Sequence, residues 1–172
     1  MIKKIRFFFP LIFLFLLTEI SKSEDNANNF DDHQINFHTG MFDFSDDGKR
    51  ASLFGFQHQN VSLTRNSFLG TLSPVSGFMI TADNAGYLYT GVQAEYKIGN
   101  VNFTPSFTPG YYEQGNGKDL GHILEFKSEV QISINLPSNT EIGFSYNHLS
   151  NASLGSKNPG ANSYMFNFIK QF

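Results

Sequence analysis

Leu124-Glu125-Phe126-Lys127-Ser128-Glu129-Val130-Gln131-Ile132-Ser133-Ile134-Asn135 decides the fold. Its even positions are apolar around Ser128, and its odd positions are charged or polar throughout. Successive side chains of a strand point to opposite faces, so this period of two describes a strand with one greasy and one polar side. The preceding block repeats the pattern. From 101 to 111 the odd positions read Val101, Phe103, Pro105, Phe107, Pro109 and Tyr111, and the even ones Asn102, Thr104, Ser106, Thr108 and Gly110. Noisier alternation places further strands near 34–43, 51–59, 68–82, 86–97, 139–150 and 162–172, which makes eight. Gly99-Asn100 and Pro137-Ser138-Asn139 are short turns, whereas 112–121 and 151–161 are longer and rich in Gly and Asn. An even number of strands of about ten residues, with short turns alternating with longer loops, is the pattern of a transmembrane β-barrel.

The chain begins with a different composition. Lys3, Lys4 and Arg6 precede an apolar run from Phe7 to Leu17, and Ser21-Lys22-Ser23 offers small residues where a signal peptidase reads. Eleven apolar residues are too few to cross a hydrocarbon core, which takes about 20. Residues 1–23 therefore read as a cleaved signal peptide and 24–172 as the barrel. Cleavage removes four basic residues and one acid and moves the formal charge from −3 to −6. Such a surface disfavours nucleic acid, which needs a surplus of Lys and Arg on one face. With no cysteine, an exported domain of this size must hold together through its strand ladder and packing. Charged residues are 16% of the chain, against about 25% in soluble domains.

Alternation alone does not say which face points outward, and a soluble ligand-binding barrel shares it. The polar face, mostly Gly, Ser, Asn, Gln and Thr, suits a narrow filled interior. The ending Tyr164-x-Phe166-x-Phe168-x-Lys170-x-Phe172 resembles the terminal signal read during outer-membrane insertion. The expectation is an all-β protein, an eight-stranded antiparallel transmembrane β-barrel in the bacterial outer membrane. Two features sit awkwardly: the segment 57–67 is long for a periplasmic turn, and Pro105 and Pro109 fall inside a strand that has no free edge, which predicts a bulge or an early strand end.

On the seventh strand Ile142, Phe144, Tyr146, His148 and Ser150 share one face. If its apolar members meet lipid, so do His148 and Ser150. A polar pair in that position costs desolvation energy unless partnered, which makes it a functional candidate. Two residues along a strand are about 6.6–6.8 Å apart on the same side, within reach of a rotamer that brings hydroxyl to imidazole. A serine hydroxyl becomes a competent nucleophile only when a base takes its proton. With both termini periplasmic, 148–150 lie near the extracellular end, beside lipopolysaccharide. An ester hydrolase there would meet the acyl linkages of lipid A.

His148-Leu149-Ser150-Asn151-Ala152, followed by Asn158-Pro159-Gly160, resembles the PagL family of lipid A deacylases, as do Gly110-Tyr111-Tyr112, Asp119-Leu120-Gly121 and Leu124-Glu125-Phe126-Lys127. The resemblance covers most of the C-terminal half and is loose in the N-terminal half. It implies His148 as general base and Ser150 as nucleophile, with Asn151 and Asn158 as oxyanion-binding residues. The family carries a glutamate twelve residues after the serine, where this chain has Asn162. An amide oxygen can orient the ring but cannot stabilise an imidazolium as a carboxylate does. In serine proteases the equivalent Asp-to-Asn change costs ~10⁴ in rate. Glu113 or Asp119, from the loop beside strand seven, is a candidate replacement acid.

The five histidines show no metal-ligand spacing, and neither metal nor cofactor is expected. His122 reads as an interfacial residue that could flank the site. Asp46-Asp47 beside Lys49-Arg50 reads as a solvated loop tip, and Glu125, Lys127 and Glu129 as an interior ion network. The expected partners are lipid A as substrate and outer-membrane lipid, with pairing into a homodimer left open. The competing functional reading is a catalytically inactive or weakly active structural barrel. A small channel fits the bulky interior of eight strands poorly.

Overall fold

The computed structural model describes residues 33–172, and the signal segment 1–23 lies outside the described residues. Eight long strands follow in chain order: β1 His33–Phe42, β2 Ala51–Asn60, β3 Gly70–Thr81, β4 Gly86–Ile98, β5 Val101–Glu113, β6 Leu124–Leu136, β7 Thr140–Ser150 and β8 Ala161–Gln171. Each pairs antiparallel with its chain neighbours. Pairing of β1 with β8 makes the sheet a closed barrel among the described residues. Strands of 10 to 13 residues match the roughly 9–11 tilted residues that cross a hydrocarbon core. Closure leaves no edge whose backbone groups would go unpaired in lipid.

The barrel is apolar outside. Phe37, Phe54, Leu88, Phe107, Ile132, Phe144 and Phe166 are exposed on its outer face, while Asn36, Gln57, Gln59, Gln93, Gln131, Asn147 and Asn167 are buried inside. This inversion of a soluble protein is stable only when lipid replaces water around the wall, and it excludes the soluble barrel. Several interior amides bond to one another. Asn36 Nδ2 donates to Gln131 Oε1 and Asn167 Oδ1 at 3.0 Å each, and Gln93 Nε2 to Gln59 Oε1 at 2.6 Å.

Toward the end that carries the long loops an apolar cluster joins the buried polar groups of the interior, among them Asp43, Glu125 and Asn151. Phe42, Leu53, Met79, Tyr87, Tyr112, Leu120, Leu149, Ala161 and Met165 form one buried cluster. Leu149 and Ala161 face into it from β7 and β8, so the outward residues beside them rest on a packed backing.

The two awkward segments resolve differently. After β2 the chain makes a 3₁₀ turn, Val61–Leu63, and a three-residue ribbon, Arg65–Ser67, that folds back on Gly70–Leu72. The long turn is thus a small hairpin of its own. The expected bulge or early end at the prolines is corrected: β5 runs unbroken and in constant register with both neighbours. Its pairing with β6 is complete from Val101 to Tyr111. Its pairing with β4 lapses only opposite Pro109-Thr108 and Pro105-Thr104, so the missing N–H donors are accepted as local gaps on one side. The interior ion network is also smaller than expected. Lys127 Nζ pairs with Glu129 at 3.0 Å and lies 4.2 Å over the Tyr89 ring, but the Glu125 carboxyl has no partner in that pair.

Candidate active site

His148 lies on the outer face of β7, and its cross-strand neighbours are Asn162 on β8 and Ser128 on β6. Cross-strand side chains sit about 4.5–5.5 Å apart at Cβ, so the ladder itself brings His148 and Asn162 together. His148 Nδ1 and Asn162 Oδ1 are 2.8 Å apart. With the amide oxygen as acceptor, the imidazole proton sits on Nδ1 and Nε2 keeps its lone pair. Ser128 is the one small polar residue in the outward row of β6.

Asn162 has further partners. Tyr146, two residues before His148 on the same face, donates its hydroxyl to Oδ1 at 2.9 Å. Nδ2 donates to Ser45 Oγ at 3.1 Å, and the backbone N–H to Asp43 Oδ1 at 3.3 Å. Phe44 N–H in turn donates to the Asn162 carbonyl at 2.9 Å. The loop between β1 and β2 is therefore laced to the site strand. It is held from the other side too, because Lys118 Nζ reaches Asp43 Oδ2 at 2.6 Å and Asp46 Oδ2 at 3.3 Å. Asp46 is more than a solvated tip: the Gly48 N–H and then Lys118 hold its carboxyl below the usual range.

Ser150 ends β7, opposite Phe126. The chain then turns through Ala152 and Ser153, both with positive φ, and returns at Gly160. Asn151 and Asn158 are brought together here: the Asn151 N–H donates to Asn158 Oδ1 at 3.0 Å. The Asn151 side chain, fully buried, points away from the outer face and donates to the carbonyls of Leu120 at 2.7 Å and Lys157 at 2.9 Å. Gly160 sits under the imidazole. A Cβ there would lie 2.8 Å from His148 Cε1 and 3.3 Å from Nε2, and its φ of +62° is left-handed. Both facts favour glycine there.

The candidate replacement acids lie elsewhere. Glu113 accepts the Tyr111 hydroxyl at 3.1 Å. Asp119 pairs with Lys157 at 2.6 Å and accepts the Gly121 N–H at 2.8 Å, and Lys157 first, then that N–H, holds its carboxyl below the usual range. His122 Nδ1 is engaged by its own loop, 3.0 Å from the Leu124 N–H. Among the described residues, the carboxylate bonded to the His148–Asn162 pair is Asp43, through the Asn162 backbone. Sequence reading missed Asp43 and Ser45, and it named Tyr146 and Gly160 without giving them a role. Gly160 stood in the Asn158-Pro159-Gly160 motif; Tyr146 shared the parity of His148, but its place in an apolar row made it read as lipid-facing bulk.

The sequence from 21 to 170 matches the family model for lipid A 3-O-deacylase (PagL). The chain belongs to the PagL family. No individual curated protein matches it in sequence. Among solved structures, the outer-membrane enzyme PagL is similar at a TM-score of 0.62 and 15% identity, over 81% of this chain and 99% of that one. A structure from the de novo design of transmembrane β-barrels is similar at 0.54 and 11% identity, over 81% and 94% respectively. These likenesses share the fold, and membership rests on the family match. As a PagL family member the chain is an outer-membrane barrel of a lipid A deacylase family, whose reaction is hydrolysis of an ester. His148, Ser150 and Asn162 lie toward the end of the barrel that carries the long loops.

Proposed function

We propose that this barrel hydrolyses the 3-O-acyl ester of lipid A with Ser150 as nucleophile, His148 as general base and Asn162 as the residue that orients His148. The observation that carries the reading is the 2.8 Å contact of His148 Nδ1 with Asn162 Oδ1 on the lipid-facing wall, two residues from Ser150. An imidazole in an apolar face is costly without such a partner, and a partner on Nδ1 leaves Nε2 ready to accept a proton.

Lipid A slides in laterally with its ester at the depth of Ser150. The Ser150 oxygen attacks the acyl carbonyl as His148 Nε2 takes the hydroxyl proton. The tetrahedral oxyanion is met by donors of the 151–158 loop, where Asn158 accepts the Asn151 N–H through Oδ1 and has its Nδ2 left to donate. Collapse breaks the ester bond, and His148 returns the proton to the departing sugar oxygen. Water, deprotonated by His148, then cleaves the acyl-serine, releasing a fatty acid and restoring Ser150. Asn162 cannot neutralise the transient imidazolium, so the turnover is slower than a carboxylate would allow.

The test is the mass spectrum of lipid A from cells carrying the intact chain beside cells carrying Ser150→Ala, with equal membrane insertion. Loss of one acyl mass only with Ser150 present supports the hydrolase. Identical spectra favour the inactive structural barrel instead.

A further inference from the structure

The Asn162 amide has two ends, and only one of them serves His148. A half-turn of the amide exchanges oxygen and nitrogen at nearly the same places. Nδ2 would then donate to His148 Nδ1, and the imidazole proton would move to Nε2, the atom that has to accept a proton from Ser150. A carboxylate has no such choice, since both of its ends accept. An amide at this position therefore needs something to fix which end faces the ring.

Two hydroxyls contact the amide, Tyr146 at Oδ1 and Ser45 at Nδ2. Either hydroxyl can donate or accept, so hydrogen-bond count alone does not choose. Their surroundings do. Tyr146 stands in the outward row between Phe144 and His148, with the Phe44 ring edge-on to it at 6.2 Å. In that apolar setting its hydroxyl hydrogen has the amide oxygen as acceptor; with the amide turned, the hydrogen would go unpaired at a desolvation cost. Ser45 is exposed in the loop between β1 and β2, where water takes its hydrogen in either orientation. The asymmetry favours oxygen toward Tyr146 and His148.

We propose that Tyr146 is a positioning residue that selects the oxygen-first orientation of Asn162 and thereby the Nδ1-protonated tautomer of His148. The consequence for catalysis rests on His148 being the base, but the tautomer itself does not. Tyr146 thus supplies to an amide what a carboxylate would not require.

The experiment uses the full barrel, refolded with ¹⁵N-histidine and assigned against His148→Gln, and reads two quantities: the His148 tautomer by ¹⁵N shift, and kcat and KM for lipid A deacylation. Tyr146→Phe is expected to shift the ratio of Nδ1-protonated to Nε2-protonated His148 about tenfold toward Nε2, the bias that one net hydrogen bond supports, and so to lower kcat at least about twofold with KM unchanged. In an Asn162→Glu background the same Tyr146→Phe change is expected to leave both the His148 tautomer and kcat unchanged, because either carboxylate oxygen can face the ring. An unchanged His148 tautomer in Tyr146→Phe overturns the proposal. So does an equal loss of kcat in both backgrounds, the mark of a merely structural tyrosine. If the parent barrel proves inactive, the hydrolase reading fails while the tautomer measurement still decides the role of Tyr146.

Discussion

Replacing Gly160 by alanine should cripple the site while leaving the barrel standing. The added Cβ would sit 2.8 Å from His148 Cε1, where ordinary contacts begin near 3.4 Å, so ring or loop must give by about 0.6 Å. A misplacement of about 1 Å at a reacting group can cost on the order of 10²-fold in rate, which puts the expected loss at roughly 10- to 100-fold. The left-handed φ of +62° adds about 1–2 kcal/mol of backbone strain for alanine, a cost in stability rather than in chemistry. Gly99 separates the two effects. It has the same φ of +62°, lies in the β4–β5 turn at the opposite end of the barrel, and offers a Cβ nothing within 4 Å. Gly99→Ala should therefore lose comparable stability and no activity. Deacylation of lipid A by purified protein, followed by mass spectrometry, reads the first quantity, and thermal unfolding in detergent reads the second. Full activity in Gly160→Ala, or an equal loss in Gly99→Ala, would refute the placement of the His148 ring against the returning loop.

Other consequences can be measured on the same preparation. Glu113→Gln and Asp119→Asn should retain deacylation within about twofold, since surface substitutions off the site usually matter little; a loss of tenfold or more in either would make that acid the missing third member. Lys118→Ala leaves the Asp43 carboxylate, 1% exposed, without its cation. Because Lys118 keeps some contact with solvent, a cost of about 1–3 kcal/mol is expected, seen as a lower unfolding temperature and faster proteolysis of the 43–50 loop, and an unaltered digest would argue against the tether. Acid should act on the Asp119–Lys157 tie in a defined window. The folded-state pKa of Asp119 is depressed, so its contribution is fully present above the unfolded value of about 3.9 and fades as pH falls through the lower folded value. Protection of the Gly121 amide, corrected for intrinsic exchange, should be flat from about pH 7 to 5 and decline only below about 3.9; a decline centred near neutrality would implicate another group.

The wall of the barrel was legible because a strand in lipid has one rule to obey, and it is local. The alternation of 124–135 and 101–111 states which side chains face lipid and which face the interior. Strand ends read from it fall within about two residues of those observed, as boundaries of strongly periodic elements allow. The prolines misled because the rule for them counts donors rather than register. β5 gives up the ladder toward β4 at two places and keeps the one toward β6 whole. The hairpin at 65–72 escaped since its first strand is three residues long, too short to show a period.

The candidate site divides in the same way. Parity on β7 put His148 and Ser150 on the lipid face, and parity on β8 put Asn162 there too, all from sequence. What those residues touch was decided by closure of the sheet. Asn162 meets His148 because the β7–β8 register sets them opposite. It meets Asp43 and Ser45, more than a hundred positions away, because β1 closes the barrel against β8. Gly160 is fixed by the path of a returning loop under an imidazole, which no spacing reveals. Side-chain direction along a strand depends on the residue count alone and is written in the chain. Contacts across strands and between loops depend on where distant segments come to rest, and only the folded barrel determines them.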